Sequence, residues 1–166
     1  LFFAEITIRF LLEAKIIIIK DYRSERFWEE RYLKQYESGT FIYHGLHQSD
    51  PDLGWVLKPS IKVSKKGQVY TTNTQGFRAL YDYKTDENKF TVVIVGDSFT
   101  FGDGITDSLV WPALLQANNS DLNVINLAVT AYGTDQMYLM LKYQIDHYKP
   151  DLVIVAFVDD NMRRAQ

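Results

Sequence analysis

The run Gly96-Asp97-Ser98-Phe99-Thr100-Phe101-Gly102-Asp103-Gly104 sets a serine directly after an apolar, β-branched stretch. A serine entering a helical turn has two ordinary uses. It can cap the turn with its hydroxyl. It can also be a nucleophile, because the exposed N–H groups of such a turn favour developing negative charge. A third use, cradling phosphate, lacks its spacing: neither Gly-Lys-Ser/Thr nor Gly-x-Gly-x-x-Gly occurs here. The elbow motif Gly-x-Ser-x-Gly is also absent, since position 100 is Thr. Spacing alone leaves cap and nucleophile both open.

Two more segments of small or polar residues follow apolar runs. They are Ala128 to Gly133 and Val158 to Asn161. The elements needed to position all three are legible. Phe90-Thr91-Val92-Val93-Ile94-Val95 is a strand buried on both faces. Ser108 to Ala117 reads as a helix with Pro112 in its first turn. Leu122 to Leu127 is a second strand. Thr134 is expected to N-cap a helix that presents Met137, Leu141, Ile145 and Tyr148 on one face, ended by Lys149-Pro150-Asp151. Leu152 to Phe157 is a third buried strand. Strands alternating with helices at this spacing predict an α/β fold: a parallel sheet with right-handed crossovers and helices on both faces, a three-layer α/β/α arrangement. Ligands of such sheets bind beyond the carboxyl ends of the strands, where all three segments fall.

The upstream sequence divides differently. Residues 1–38 read as an N-terminal helical segment. Residues 1–20 are the most apolar, but Glu5, Arg9, Glu13 and Lys15 interrupt them, so they do not span a membrane as they stand. They fit either the tail of an anchor helix or a helix on the flank of the domain. Residues 21–38 carry Phe27, Tyr32 and Tyr36 among charges, as a solvated surface helix would. Residues 39–89 form a β-rich lead-in, with a strand at Val69 to Thr72 and a hairpin turn at Lys65-Lys66-Gly67-Gln68. Residues 90–166 hold the sheet. Both ends read as cut.

The 166 residues fit one domain. A net charge of -3, with no basic stripe, points away from a nucleic-acid partner. The absence of cysteine excludes disulfides, thiolate metal sites and a cysteine nucleophile.

The three sheet-end segments, taken together and in order, resemble the SGNH (GDSL-like) hydrolase family, in a bacterial branch. Ile94 to Gly102 is similar to its first block, which carries the nucleophilic serine; Ser98 stands there, with Asp97 supporting it. Val124 to Gln136 is similar to the second, whose backbone N–H binds the oxyanion. Asp151 to Asn161 is similar to the third, where an Asn side chain completes the oxyanion hole. Asp52 to Pro59 and Thr72 to Arg78 resemble a lead-in found before that domain, often behind a membrane anchor. The likeness covers roughly residues 50–161. It implies an SGNH/flavodoxin-like fold, of which this chain holds the N-terminal half.

The likeness implies an esterase acting on a small-molecule or carbohydrate ester, an O-acetylated carbohydrate or a lipid among the candidates, without metal or organic cofactor. It favours an extracytoplasmic, membrane-anchored setting. Three other readings stay open: an O-acyltransferase of the same fold, a catalytically silent carbohydrate-binding module, and a flavodoxin-like flavin or nucleotide binder.

The chain departs from the family at three places. Ala131 stands where the family has Gly, so the inward N–H falls to Ala131 or Gly133. The family Asn aligns with Asn161, or with Asp160 after a one-residue shift; an ionised Asp cannot donate to an oxyanion. The family's Asp-x-x-His pair, the source of the general base, is not found. Of the three histidines, His147 reads as a surface residue at a helix end, and His44 and His47 as structural or exposed. The resemblance therefore places the base beyond residue 166.

Overall fold

The structure, a computed structural model, describes residues 45–164. The expectations for the two N-terminal helices and for His44 lie outside these residues. Phe90–Gly96 (β5) is the central strand of a three-stranded parallel sheet, flanked by Leu122–Asn126 (β6) and Leu152–Ala156 (β7) in the order β6-β5-β7. Val93 of β5 lies opposite Ile125 and Val153. The side chains of β5 alternate between two clusters. Val92 and Ile94 pack with Val124, Leu115 and Ile154. Val93 and Val95 pack with Ile125, Met137, Met140 and Tyr148. The helix Trp111–Ala117 (α2) therefore covers one face, and Thr134–Tyr148 (α3) the other. The two crossovers run to opposite sides of β5, so helices on opposite faces give both the same hand. The result is the expected α/β/α layering, in which β5 is buried on both sides and tolerates only apolar or paired residues.

The lead-in adds two antiparallel hairpins. His47–Asp50 (β1) pairs with Gly54–Leu57 (β2), and Lys62–Lys65 (β3) with Gln68–Thr71 (β4). Lys66 and Gly67 both have positive φ, as a two-residue turn matched to strand twist requires. Leu46, Leu53, Leu57, Tyr70, Phe77 and Tyr83 share one core with Val93, Val95 and Ile125. The lead-in is thus a layer on the sheet's α3 side. Among the described residues no helix is long and apolar enough to cross a membrane.

Four local expectations are corrected. The first crossover helix begins at Trp111, after a 3-10 turn at Asp107–Leu109. Had it begun at Ser108, the Pro112 ring would meet the carbonyl of residue 108, four positions back. The N-cap of α3 is Gly133, with Thr134 as its first helical residue, and Gln136 Oε1 accepts from the Gly133 N–H at 3.0 Å. The buried face of α3 is Met137, Met140 and Tyr148, while Ile145 is 38% exposed. Eight positions carry Ile145 about 80° round the helix from Met137, onto its flank. Strand β7 is not buried: Leu152 and Val155 are 45% and 48% exposed, because it is an edge of the sheet among the described residues.

Candidate active site

The carboxyl ends of β5, β6 and β7 bring together Asp97-Ser98, Ala128 to Gly133, and Val158 to Asn161. The chain leaves β5 toward α2 and leaves β6 toward α3, on opposite faces. A crevice opens at the ends of adjacent strands when their connections part in this way. The sequence therefore places its polar loops where the topology leaves room for a ligand.

Ser98 is the first residue of a one-turn helix, Ser98–Phe101 (α1). Asp97 caps that turn: its Oδ1 accepts from the Phe99 N–H at 2.9 Å. The cap is therefore Asp97, which leaves Ser98 Oγ with no hydrogen-bond partner among the described residues. Ser98 is half-buried. Its own N–H also has no partner among the described residues, whereas its carbonyl accepts from the N–H groups of Gly102 and Asp103 at 2.9 Å each. Gly96 permits the tight exit from the strand. A Cβ there would lie 2.5 Å from Thr100 Oγ1 and 3.1 Å from the Ala156 carbonyl oxygen. The close approach that glycine allows is thus to Thr100 and β7.

In the second loop the two candidate donors differ. The Gly133 N–H is held by Gln136 Oε1. The Ala131 N–H has no partner among the described residues. Ala131 sits at φ 65°, in the left-handed region that favours glycine. The loop is fixed from the lead-in side: Trp55 Nε1 donates to the Thr130 carbonyl at 3.0 Å, and Tyr132 Oη donates to the Trp55 carbonyl at 2.7 Å. Burial, with the nearby Asp50 charge, raises the pKa of the Tyr132 phenol. It stays neutral and keeps donating.

Asn161 joins the three loops. It is fully buried, in the turn Asp159–Arg164 (α4). Its Nδ2 donates to Asp97 Oδ2 at 2.8 Å and to the Tyr132 carbonyl at 2.9 Å, and its Oδ1 accepts from the Val158 N–H at 2.6 Å. Both amide hydrogens are therefore engaged, and the amide has no donor left for a bound oxyanion in this arrangement. Asp160 turns instead toward solvent and pairs with Arg163 at 3.0 Å and Arg164 at 2.5 Å. Arg164 also stands 3.8 Å from Asp97 Oδ2.

Two of the three histidines lie among the described residues. His47 is buried, with its Nε2 2.8 Å from Thr130 Oγ1. His147 is exposed near the end of α3, its ring against Tyr148. Among the described residues no group of three His, Cys, Asp or Glu side chains is placed to hold a metal ion.

Sequence reasoning passed over Arg78 as a functional residue. It is a buried guanidinium whose Nε lies 3.0 Å from Asp107 Oδ1. Its partners are β4, α1 and the turn beyond, 9 to 29 positions away, so no local spacing announces them. The signals available were its place in the Thr72 to Arg78 lead-in stretch and a cation inside an otherwise uncharged run, Gly76-Phe77-Arg78-Ala79.

No protein family's profile matches the chain, and no curated protein matches it. Among solved structures it is similar to TesA, with 26% identity and a TM-score of 0.42 over 46% of this chain. The match spans 44% of the TesA chain.

Proposed function

We propose that the protein is a serine acyl hydrolase of the SGNH type, acting on an ester, with Ser98 as nucleophile. The observation that supports this most is the stitching by Asn161. It draws three sheet-end loops around Ser98, whose hydroxyl has no partner among the described residues, as is true of the N–H groups of Ser98 and Ala131.

On this reading Ser98 Oγ attacks the ester carbonyl carbon and gives its proton to a general base. The resemblance puts that base, a histidine, beyond Gln166. The carbonyl oxygen becomes an oxyanion, and the Ser98 and Ala131 N–H groups are the donors proposed for it. Two donors aimed at such an oxygen are each worth a few kcal/mol of barrier. Asn161 would join them only by releasing Asp97 or the Tyr132 carbonyl, so its first role on this reading is to hold the loops in place. Asp97 holds the turn and anchors Asn161. Collapse expels the alcohol, which takes the proton from the base, and leaves an acyl group on Ser98. Water, activated by the same base, then releases the acid.

The test is hydrolysis of p-nitrophenyl acetate by the full-length protein and by Ser98→Ala. The reading expects turnover in the first and none above background in the second. Activity that survives Ser98→Ala removes Ser98 from the mechanism.

A further inference from the structure

Arg78 uses every hydrogen it has. Nε donates to Asp107 Oδ1 at 3.0 Å. One terminal nitrogen donates to the Phe101 carbonyl at 2.6 Å and the Gly102 carbonyl at 2.7 Å. The other donates to the Ile105 carbonyl at 2.5 Å and the Val69 carbonyl at 3.3 Å. The guanidinium carbon lies 4.6 Å from the ring centroids of both Tyr70 and Phe101, which are nearly parallel to each other. Among the described residues Asp107 is the carboxylate in ion-pair contact with it, and burial lowers the guanidinium pKa against the pull of Asp107.

Stability alone is a poor reason for such a group, because apolar side chains of similar volume usually serve a core as well or better. What the planar fork supplies is direction: five donors at fixed angles, three of them set on carbonyls within residues 101–105. That segment is the continuation of the Ser98 turn. The Gly102 carbonyl is held by Arg78, and the Gly102 N–H in turn donates to the Ser98 carbonyl. The same loop is fastened from β4, where Tyr70 Oη accepts from the Gly104 N–H at 2.9 Å. Gly102 has no room for a side chain: a Cβ would stand 3.2 Å from Arg78 Nη1 and 2.3 Å from Val110 Cγ1.

We propose that Arg78 is a positioning residue for the Ser98 nucleophile: from the lead-in it locks the turn that sets the direction of Ser98 Oγ and of the Ser98 N–H. The proposal rests on the reading of Ser98 as nucleophile. Lysine cannot replace it, since three donors on one nitrogen cannot reach carbonyls on both sides of the loop and Asp107 together.

The test compares wild type, Ser98→Ala, Arg78→Lys, Arg78→Ala and Tyr70→Phe in the full-length protein, by p-nitrophenyl acetate kinetics and thermal unfolding. A displacement of about 1 Å at a reacting group costs on the order of 100-fold, so Arg78→Lys is expected to lower kcat about that much while KM stays within about two-fold. Tyr70→Phe, which removes the two hydroxyl bonds to the same loop, from the Gly104 N–H and to Asp103 Oδ1, is expected to lower kcat several-fold. Added guanidinium is expected to restore part of the kcat lost in Arg78→Ala. Ser98-dependent turnover with kcat unchanged in a folded Arg78→Lys, whatever its unfolding temperature, overturns the proposal alone. If Arg78→Lys does not fold, unchanged kcat in Tyr70→Phe overturns it. Turnover that does not depend on Ser98 overturns the reading of Ser98 and the proposal with it.

Discussion

Replacing Asn161 by Ala removes the side chain that ties the three loops together. The loss can be worked from its contacts. Two neutral bonds vanish, to the Tyr132 carbonyl and the Val158 N–H, at about 1 kcal/mol each. One bond to a carboxylate vanishes, worth about 1.5 to 3 kcal/mol. Asp97 is 1% exposed, so its Oδ2 is left buried without that donor. Arg164, already 3.8 Å away, can recover part of this. The expected loss is about 3 to 4 kcal/mol, measured as a shift in the urea midpoint at constant slope. A loss below about 1 kcal/mol would show that the loops do not depend on Asn161. The isosteric Asn161→Asp sharpens the test. It sets a second carboxyl against Asp97 at the 2.8 Å now spanned by the amide. Two carboxylates so close share a proton, which raises the pKa of one of them in the folded variant. A raised folded-state pKa contributes stability at low pH that is lost as pH rises. Asn161→Asp should therefore be most stable near or below the ordinary carboxylate range, about pH 4, and weaken toward neutrality. A variant equally stable at neutral and acid pH would refute the assigned contact.

Ala131→Gly should stabilise the protein by about 0.5 to 1 kcal/mol, because it relieves a left-handed φ of 65°; equal or lower stability in denaturant would count against that strain. Gly102→Ala should cost about 2 to 4 kcal/mol, from its φ of 82° and a Cβ 2.3 Å from Val110 Cγ1, and should show it in the same titration. At alkaline pH the buried tyrosines set the limit. Burial raises the Tyr83 phenol, and the Tyr148 phenol is pushed up to about 12. Their folded pKa values lie above the unfolded value near 10, so their contribution is complete below about pH 10 and lost as pH rises above it. Phenolate absorbance from these residues should appear together with loss of circular dichroism, and Tyr83→Phe should soften that alkaline loss.

The sheet was legible because its signal is local. The β-branched run of β5 and its Gly96 exit can be read within a dozen residues, and each crossover lies within one contiguous stretch between neighbouring strands, 97–121 and 127–151. Small errors came where one residue's sterics outweigh a pattern, as with Pro112 at the start of α2 and Gly133 before α3. The three site loops were also legible, as polar segments after apolar strands. The roles within them were less so. Whether Asn161 faces an oxyanion or a carboxylate depends on Asp97, 64 positions away, and on Tyr132, 29 away. Which of the Ala131 and Gly133 N–H groups keeps a partner turned on one side chain, Gln136, which takes up the Gly133 N–H. His47, a histidine with no evident task in sequence, proves to be buried against Thr130, 83 positions on. Such pairings carry no spacing rule, and only the packed fold brings them together.

The central claim is that Ser98 Oγ forms the covalent acyl intermediate. Treating the full-length protein with a fluorophosphonate and mapping the modified peptide by mass spectrometry tests it directly. The account predicts a single stoichiometric adduct on Ser98, absent from Ser98→Ala and coincident with loss of ester hydrolysis. Hydrolysis that persists once Ser98 is fully modified or replaced, or an adduct on another residue that tracks the activity, would contradict it.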